Sequence, residues 1–170
     1  MPYFLPDLKV WSLGNEFQAA ASLLNEESIK DKEKNIAWVA AVNASFAIEL
    51  YLKSFLAKRE ETGTGIKIDG GFEIMQYNSA SDRGHDLLTL YNKIDPKYQG
   101  YIDAVFQELF PDTDYIKEIE RYKDYFMGAR YRHEKGAVGY VTNEVVYFAE
   151  KLKDVVYDVA KYTDPTYKNA

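Results

Sequence analysis

Residues 44–56 decide the fold, and they read ASFAIELYLKSFL. Apolar side chains fill most positions of this stretch, and its two ionisable groups are Glu49 and Lys53. A helix that is apolar on nearly every side is typical of the buried helix of a bundle. The apolar pattern continues outward on both sides, so the sequence predicts a long central helix over about 35–61.

Further helical patterns lie on both sides of this central segment. A first helix is predicted over about 12–27, and a third over 85–93. Pro96 can open a fourth helix over 97–110, because proline lacks the N–H that a first turn leaves unpaired. Pro111 ends that helix. The apolar stripe of the first helix is predicted to contain Leu13, Phe17, Ala20, Ala21 and Leu24.

Two helices are predicted in the last third of the chain. Thr113 or Asp114 can cap a fifth helix that runs toward Tyr131 or His133. The last helix starts after Thr142 or Asn143, continues to about Tyr162, and has a clear amphipathic stripe.

The segment 62–82 breaks the helical pattern. Residues 66–68 and 72–74 alternate between apolar and charged side chains, and Asp69-Gly70 lies between them. An Asp-Gly pair between alternating stretches favours a hairpin, since a positive φ costs little there. The sequence therefore predicts an all-α antiparallel bundle of five to six helices, with a small β-hairpin or ordered insertion near 62–82. It forms a single domain over 1–170, with its core over about 10–162.

Composition narrows the classes of function. The chain has 170 residues, of which 46% are hydrophobic, and a net charge of −6. This charge disfavours a broad electrostatic nucleic-acid surface but leaves room for a local basic site. Without cysteine, and with two histidines at no metal-binding spacing, the sequence predicts no metal site and no cofactor. Two charges inside the most apolar stretch argue against a membrane span, and we expect a cytoplasmic protein.

Three groups of residues are candidates for chemistry. Glu49 and Lys53 are four residues apart, which suits either a structural ion pair where the helix reaches the surface or the polar floor of a cleft. His85 lies at a predicted helix start, where a packing or capping role competes with a catalytic one. The third group is basic, and on one continuous helix its Arg130 and His133 would share a face. This basic group comprises Arg130, Arg132 and His133, with Arg121 upstream.

Arginine and histidine together suit phosphate chemistry. The guanidinium is a rigid fork that matches a phosphate, and the imidazole exchanges a proton near neutral pH. A basic helix end that answers the helix dipole is the structural alternative. The many tyrosines are interpreted as packing or dimer-surface residues rather than base-stacking ones.

The order of these motifs resembles the HEPN superfamily, the higher eukaryotes and prokaryotes nucleotide-binding proteins. Residues 44–56 are similar to the family's long second helix, with its acidic residue before Leu-Lys. Residues 84–91, GHDLLTLY, are similar to its third helix, and residues 130–134, RYRHE, occupy the place of its late Arg-Tyr segment. The resemblance covers about 10–160 and implies a compact helical bundle that commonly forms a homodimer.

Many members of that superfamily are metal-independent RNases whose motif is Arg, four to six residues, then His. This chain departs from the motif. Positions 126–128 are Phe, Met and Gly, and Arg130 precedes His133 by only three positions.

Three functions stay open at the level of sequence. The first is a nucleotide- or RNA-phosphate-binding module in stress response or phage defence, in which Arg121, His85, Glu49 and Lys53 support the basic cluster. The second is a metal-independent endoribonuclease toxin. Its general base would be His133, and Arg130 or Arg132 would stabilise the phosphorane. The third is a non-catalytic dimeric interaction domain that docks a partner protein.

Overall fold

A computed structural model describes residues 4–34, 36–61, 66–68, 72–74, 77–80, 84–135 and 137–164. The described chain is mostly helical, as the sequence predicts. Its helices are α1 (Leu8–Lys30), a short 3₁₀ turn (Lys32–Lys34), α2 (Ala37–Ser54), α3 (Leu87–Lys93), α4 (Pro96–Leu109), α5 (Tyr115–Tyr122), α6 (Tyr125–Arg130) and α7 (Glu144–Thr163). None of the helices among these residues is both long and apolar enough to cross a membrane.

Aspartate side chains fix where four of the helices begin. Asp7 accepts hydrogen bonds from the backbone N–H groups of the first turn of α1, and Asp86, Asp95 and Asp114 do the same for α3, α4 and α5. Each bond satisfies an N–H that has no partner inside the helix. The predicted opening of α4 by Pro96 is confirmed, and so is the capping of α5 by Asp114. The start of α3 was predicted two residues too early, because Asp86 itself is its cap.

Helix α2 forms the centre of the bundle. It contacts α1, α3, α6 and α7, and twelve of its residues are buried. The prediction that this helix is buried is confirmed, but the predicted end at residue 61 is wrong. After Ser54 the backbone tightens, with Leu56 N–H bonded to the Lys53 carbonyl, and the Ser54 carbonyl accepts the N–H of Asp7. These bonds satisfy carbonyls that a helix end leaves free.

Four short strands follow α2. They are β1 (Lys58–Glu61), β2 (Ile66–Ile68), β3 (Phe72–Ile74) and β4 (Tyr77–Ala80). Strand β1 pairs antiparallel with β4, and β2 pairs antiparallel with β3, with Ile66 opposite Ile74. Residues 58–61, which were predicted as helix, are therefore extended. The predicted turn at 69–71 lies outside the described residues.

The predicted stripe of α1 is confirmed in part, since Ala21 is buried and Phe17 and Leu24 pack against the core. Gly14, Gln18, Ala21 and Asn25 are buried, whereas Leu13 is 43% exposed. The reason is a close approach of α1 to α2: a Cβ on Gly14 would lie 2.6 Å from Cε1 of the fully buried Tyr51. The amide nitrogen of the buried Gln18 donates to the Val146 carbonyl of α7 at 3.1 Å, and this bond offsets part of the cost of burying a polar side chain.

The predicted fifth helix is two helices in the structure. Its path breaks at Lys123 and Asp124, where the Lys123 carbonyl accepts the N–H of Leu87 from the start of α3. A carbonyl that serves another element in this way marks the end of α5. The chain then turns into α6, which ends at Arg130.

The contact between Gly14 and Tyr51 leads to a first prediction. Gly14→Ala should lower the free energy of unfolding by about 1–2 kcal/mol, because overpacking a rigid core outweighs the gain in helix propensity. Gly100→Ala is the matched control, since nothing lies within 4 Å of its Cβ position in α4. That change should raise the same free energy by about 0.5–1 kcal/mol. Urea unfolding of both variants measures the difference, and equal stabilisation by the two changes would contradict the close approach.

Candidate phosphate site

A buried ion pair lies within α2. Lys53 Nζ is 2.7 Å from Oε1 of Glu49, and Glu49 is 1% exposed. The two side chains stand one helical turn apart on a helix that neighbours cover on several sides. Removing two charges from water is costly, and a close pair recovers much of that cost. Lys53 is buried as well, so the expectation of a pair where the helix reaches the surface is wrong. The residues around the pair decide what it supports.

His85 joins this pair from the segment that precedes α3. Its Nδ1 lies 3.1 and 3.0 Å from the two carboxylate oxygens of Glu49. The next residue, Asp86, caps α3 through the backbone N–H of Thr89, which anchors the segment. The His85 side chain is 46% exposed, so a buried carboxylate holds an imidazole that solvent can reach.

Phe126 of α6 contacts both His85 and Arg130. The imidazole centroid lies 5.5 Å from the centroid of the Phe126 ring, and Cζ of Arg130 lies 5.7 Å from it. Phe126 stacks on Phe46 of α2 at 4.9 Å, and Phe46 meets the edge of Phe17 of α1 at 4.6 Å. This aromatic row ties α6 to the central helix and fixes the base from which Arg130 projects.

A cleft lies beside Arg130, between the first turns of α2 and the end of α6. Its volume is about 310 Å³, and Trp38, Val39, Val42, Ala129, Arg130 and Arg132 line it. The Arg132 guanidinium carbon lies 5.6 Å from the Trp38 ring centroid. Within the part of the chain that the structure describes, neither Arg130 nor Arg132 has an ion-pair partner. The cleft therefore combines apolar walls with two exposed cations whose charge no carboxylate of the described residues compensates.

The other predicted residues lie elsewhere. The expectation that Arg130 and His133 share a helical face is wrong, because α6 ends at Arg130 and His133 follows in a turn. The side chain of His133 is 75% exposed, and Glu134 lies 3.8 Å from it. Arg121 of α5 binds Glu144 at 2.8 Å and lies 3.8 Å from Glu118, so carboxylates already compensate its charge.

The structure thus brings together Glu49, Lys53 and His85. Arg130 and Arg132 line a cleft, and Arg130 shares the neighbour Phe126 with His85. Sequence reasoning did not assign Phe126 and Trp38 to the site. Phe126 carried a usable signal, since it stands four residues before Arg130 and so shares a helical face with it. Trp38 looked like one more apolar residue of the central helix.

Among the described residues, no group of three or more histidine or acidic side chains is placed to hold a metal ion. No family model matches the chain, and neither a curated protein nor a solved structure is significantly similar to it.

The buried pair gives a second prediction. Lys53→Met should lower the free energy of unfolding by about 3–5 kcal/mol, because it leaves the carboxylate of Glu49 buried with its main cationic partner removed. Lys30→Met is the control: Lys30 pairs with Glu27 at 3.2 Å, but both side chains are largely exposed. Its loss should cost less than about 1 kcal/mol. Denaturant unfolding at pH 7 compares the two variants, and similar small losses would show that the Glu49 site is hydrated.

Proposed function

We propose that this chain is a module that binds the phosphate of a nucleotide or of RNA through Arg130 and Arg132. The observation that carries the proposal is the cleft, whose lining combines apolar side chains with two exposed guanidinium groups that have no ion-pair partner among the described residues. Its volume of about 310 Å³ lies at the lower end of the range for small-molecule sites, which suits a single nucleotide unit.

The chemistry of the two arginines supports this ligand. A guanidinium donates parallel hydrogen bonds to a phosphate, and such charge-assisted bonds are about twice as strong as neutral ones. Aromatic contacts with Phe126, Tyr131 and Trp38 restrict the two arginines before any ligand arrives. Restricting a side chain in advance reduces the entropy lost on binding.

The net charge of −6 determines what kind of binding this is. A long nucleic-acid track needs a broad positive surface, which this composition does not favour. Two local arginines instead suit one or two phosphates. We therefore expect a weak salt dependence, with a slope of about −1 to −2 in a plot of log binding constant against log salt for a single strand.

The endoribonuclease alternative assigned the general base to His133. A general base works from a fixed position near the proton that it removes. His133 lies in an exposed turn, with Glu134 at 3.8 Å as its ionic neighbour. The geometry therefore favours binding over cleavage by His133. The homodimer, the partner protein and the defence setting stay predictions.

A binding assay tests the proposal. We expect Arg130→Ala/Arg132→Ala to weaken binding of a short labelled RNA, and of a labelled mononucleotide, by about 10–100-fold, as expected for losing charge-assisted hydrogen bonds. Fluorescence anisotropy at low salt, with EDTA present, measures both ligands. Gel analysis of the same RNA samples reports any metal-independent cleavage.

Two comparisons make this assay specific. Lys117→Ala/Lys30→Ala changes the net charge by the same amount, but these lysines already pair with Asp114 and Glu27. This control variant should leave binding unchanged. An equal loss of affinity in both double variants would show that the net charge, rather than the two arginines, determines binding. Unchanged binding in Arg130→Ala/Arg132→Ala would refute the proposed site. RNA cleavage that disappears in His133→Ala would replace the binding function with the nuclease.

A further inference from the structure

We infer that His85 is a specificity-determining residue of this site, where the Nε2 atom of its imidazole accepts a hydrogen bond from a hydroxyl group of the bound ligand. The inference rests on the proposed phosphate-binding function and deepens it. Glu49 acts as the positioning residue, since it reaches the ligand only through His85.

The contact with Glu49 determines which nitrogen of the His85 imidazole carries the hydrogen. Lys53 Nζ donates a hydrogen bond to Oε1 of Glu49 at 2.7 Å, which is the geometry of an ammonium–carboxylate pair. An ionised carboxylate accepts hydrogen bonds and donates none. The Nδ1 atom of His85 lies within 3.1 Å of both carboxylate oxygens, so Nδ1 must carry a hydrogen. In the neutral imidazole, Nε2 is then an acceptor with a free lone pair.

The lone pair on Nε2 of His85 is open to a ligand. Glu49 engages Nδ1, and Nε2 forms no hydrogen bond within the described part of the chain. The side chain is 46% exposed. The imidazole and the Arg130 guanidinium both lie within 6 Å of the Phe126 ring centroid. His85 is not among the residues that line the cleft, but the two distances place it at most about 11 Å from the Arg130 guanidinium. A ligand whose phosphate binds Arg130 meets His85 when it spans that separation.

The ligand group that pairs with a neutral Nε2 must donate a hydrogen bond. A phosphodiester oxygen only accepts hydrogen bonds, so it does not pair with a neutral Nε2. A ribose hydroxyl donates, and the 2′-hydroxyl adjoins the phosphate along the RNA backbone. This group is also what distinguishes RNA from DNA. We therefore expect the site to prefer ribose over 2′-deoxyribose, and His85 to be the residue responsible.

The tautomer is the first test, and it is independent of any ligand. The chain has two histidines, so a long-range ¹H–¹⁵N correlation spectrum of the full chain contains two imidazoles. His133→Phe assigns them. Above the pH at which the rings lose their charge, we expect hydrogen on Nδ1 of His85, whereas exposed His133 should show mainly the Nε2–H form of free histidine. An Nε2–H tautomer at His85 would overturn the inference.

Ligand discrimination is the second test. Wild-type protein should bind a short RNA about 2–10-fold more tightly than the DNA of the same sequence, the contribution of one neutral hydrogen bond. His85→Phe keeps a ring against Phe126 but removes the acceptor, so the preference should disappear while DNA binding is retained. His133→Phe is the matched control and should keep the wild-type preference.

The outcomes separate the two claims. Binding of RNA and DNA with equal affinity by wild-type protein, or an unchanged preference in His85→Phe, would overturn the role of His85 and leave the phosphate site intact. Binding of neither ligand would overturn both claims. A loss of RNA and DNA affinity in Arg130→Ala/Arg132→Ala, with the preference retained, would support both.

Discussion

The ion pair between Glu49 and Lys53 is the interaction on which the rest of the structure depends. A carboxylate that is 1% exposed is stable only where cations and hydrogen bonds replace the water it has lost. Lys53 supplies the cation from the next turn of the same helix, and His85 supplies a further donor from another element. The pair therefore requires α2 at the centre of the bundle and the start of α3 beside it.

Burial of charge within the core has a functional consequence here. Well-packed apolar residues would often stabilise a core as much as a buried ion pair does. What an apolar pair would not provide is an acceptor that holds a half-exposed imidazole in one orientation. The aromatic row from Phe17 through Phe46 to Phe126 then connects this imidazole to Arg130. Stability and the proposed binding site thus share one set of contacts.

Most helices could be predicted because their signals are local. Pro96 and Asp114 mark helix starts through their own backbone chemistry, and the apolar stretch at 44–56 indicates burial directly. Other features depend on contacts between distant segments. At the break between α5 and α6 the Lys123 carbonyl accepts the N–H of Leu87, and at the end of α2 the Ser54 carbonyl accepts the N–H of Asp7. In both cases the two bonded residues are far apart in the sequence, so a local sequence pattern does not reveal the contact.

The candidate site likewise combines local features, which could be predicted, with long-range contacts, which could not. The spacing of Glu49 and Lys53 predicted an ion pair, and the pair is present. That His85 would reach Glu49 from 36 positions away was not visible, nor was the end of α6 that separates His133 from Arg130. Part of the buried face of α1 was missed for a related reason. Periodicity selects large apolar residues, whereas the close approach to Tyr51 selects Gly14.

The most direct measurement of the central claim is a double-mutant cycle on the buried pair. It compares the free energies of unfolding of wild-type protein, Glu49→Met, Lys53→Met and the double variant. If the two charges sustain each other in the core, the double variant loses less than the sum of the single losses, with a coupling energy of about 1–3 kcal/mol. Single losses that add to within about 0.5 kcal/mol would contradict the account, because each charge would then be stabilised independently of the other.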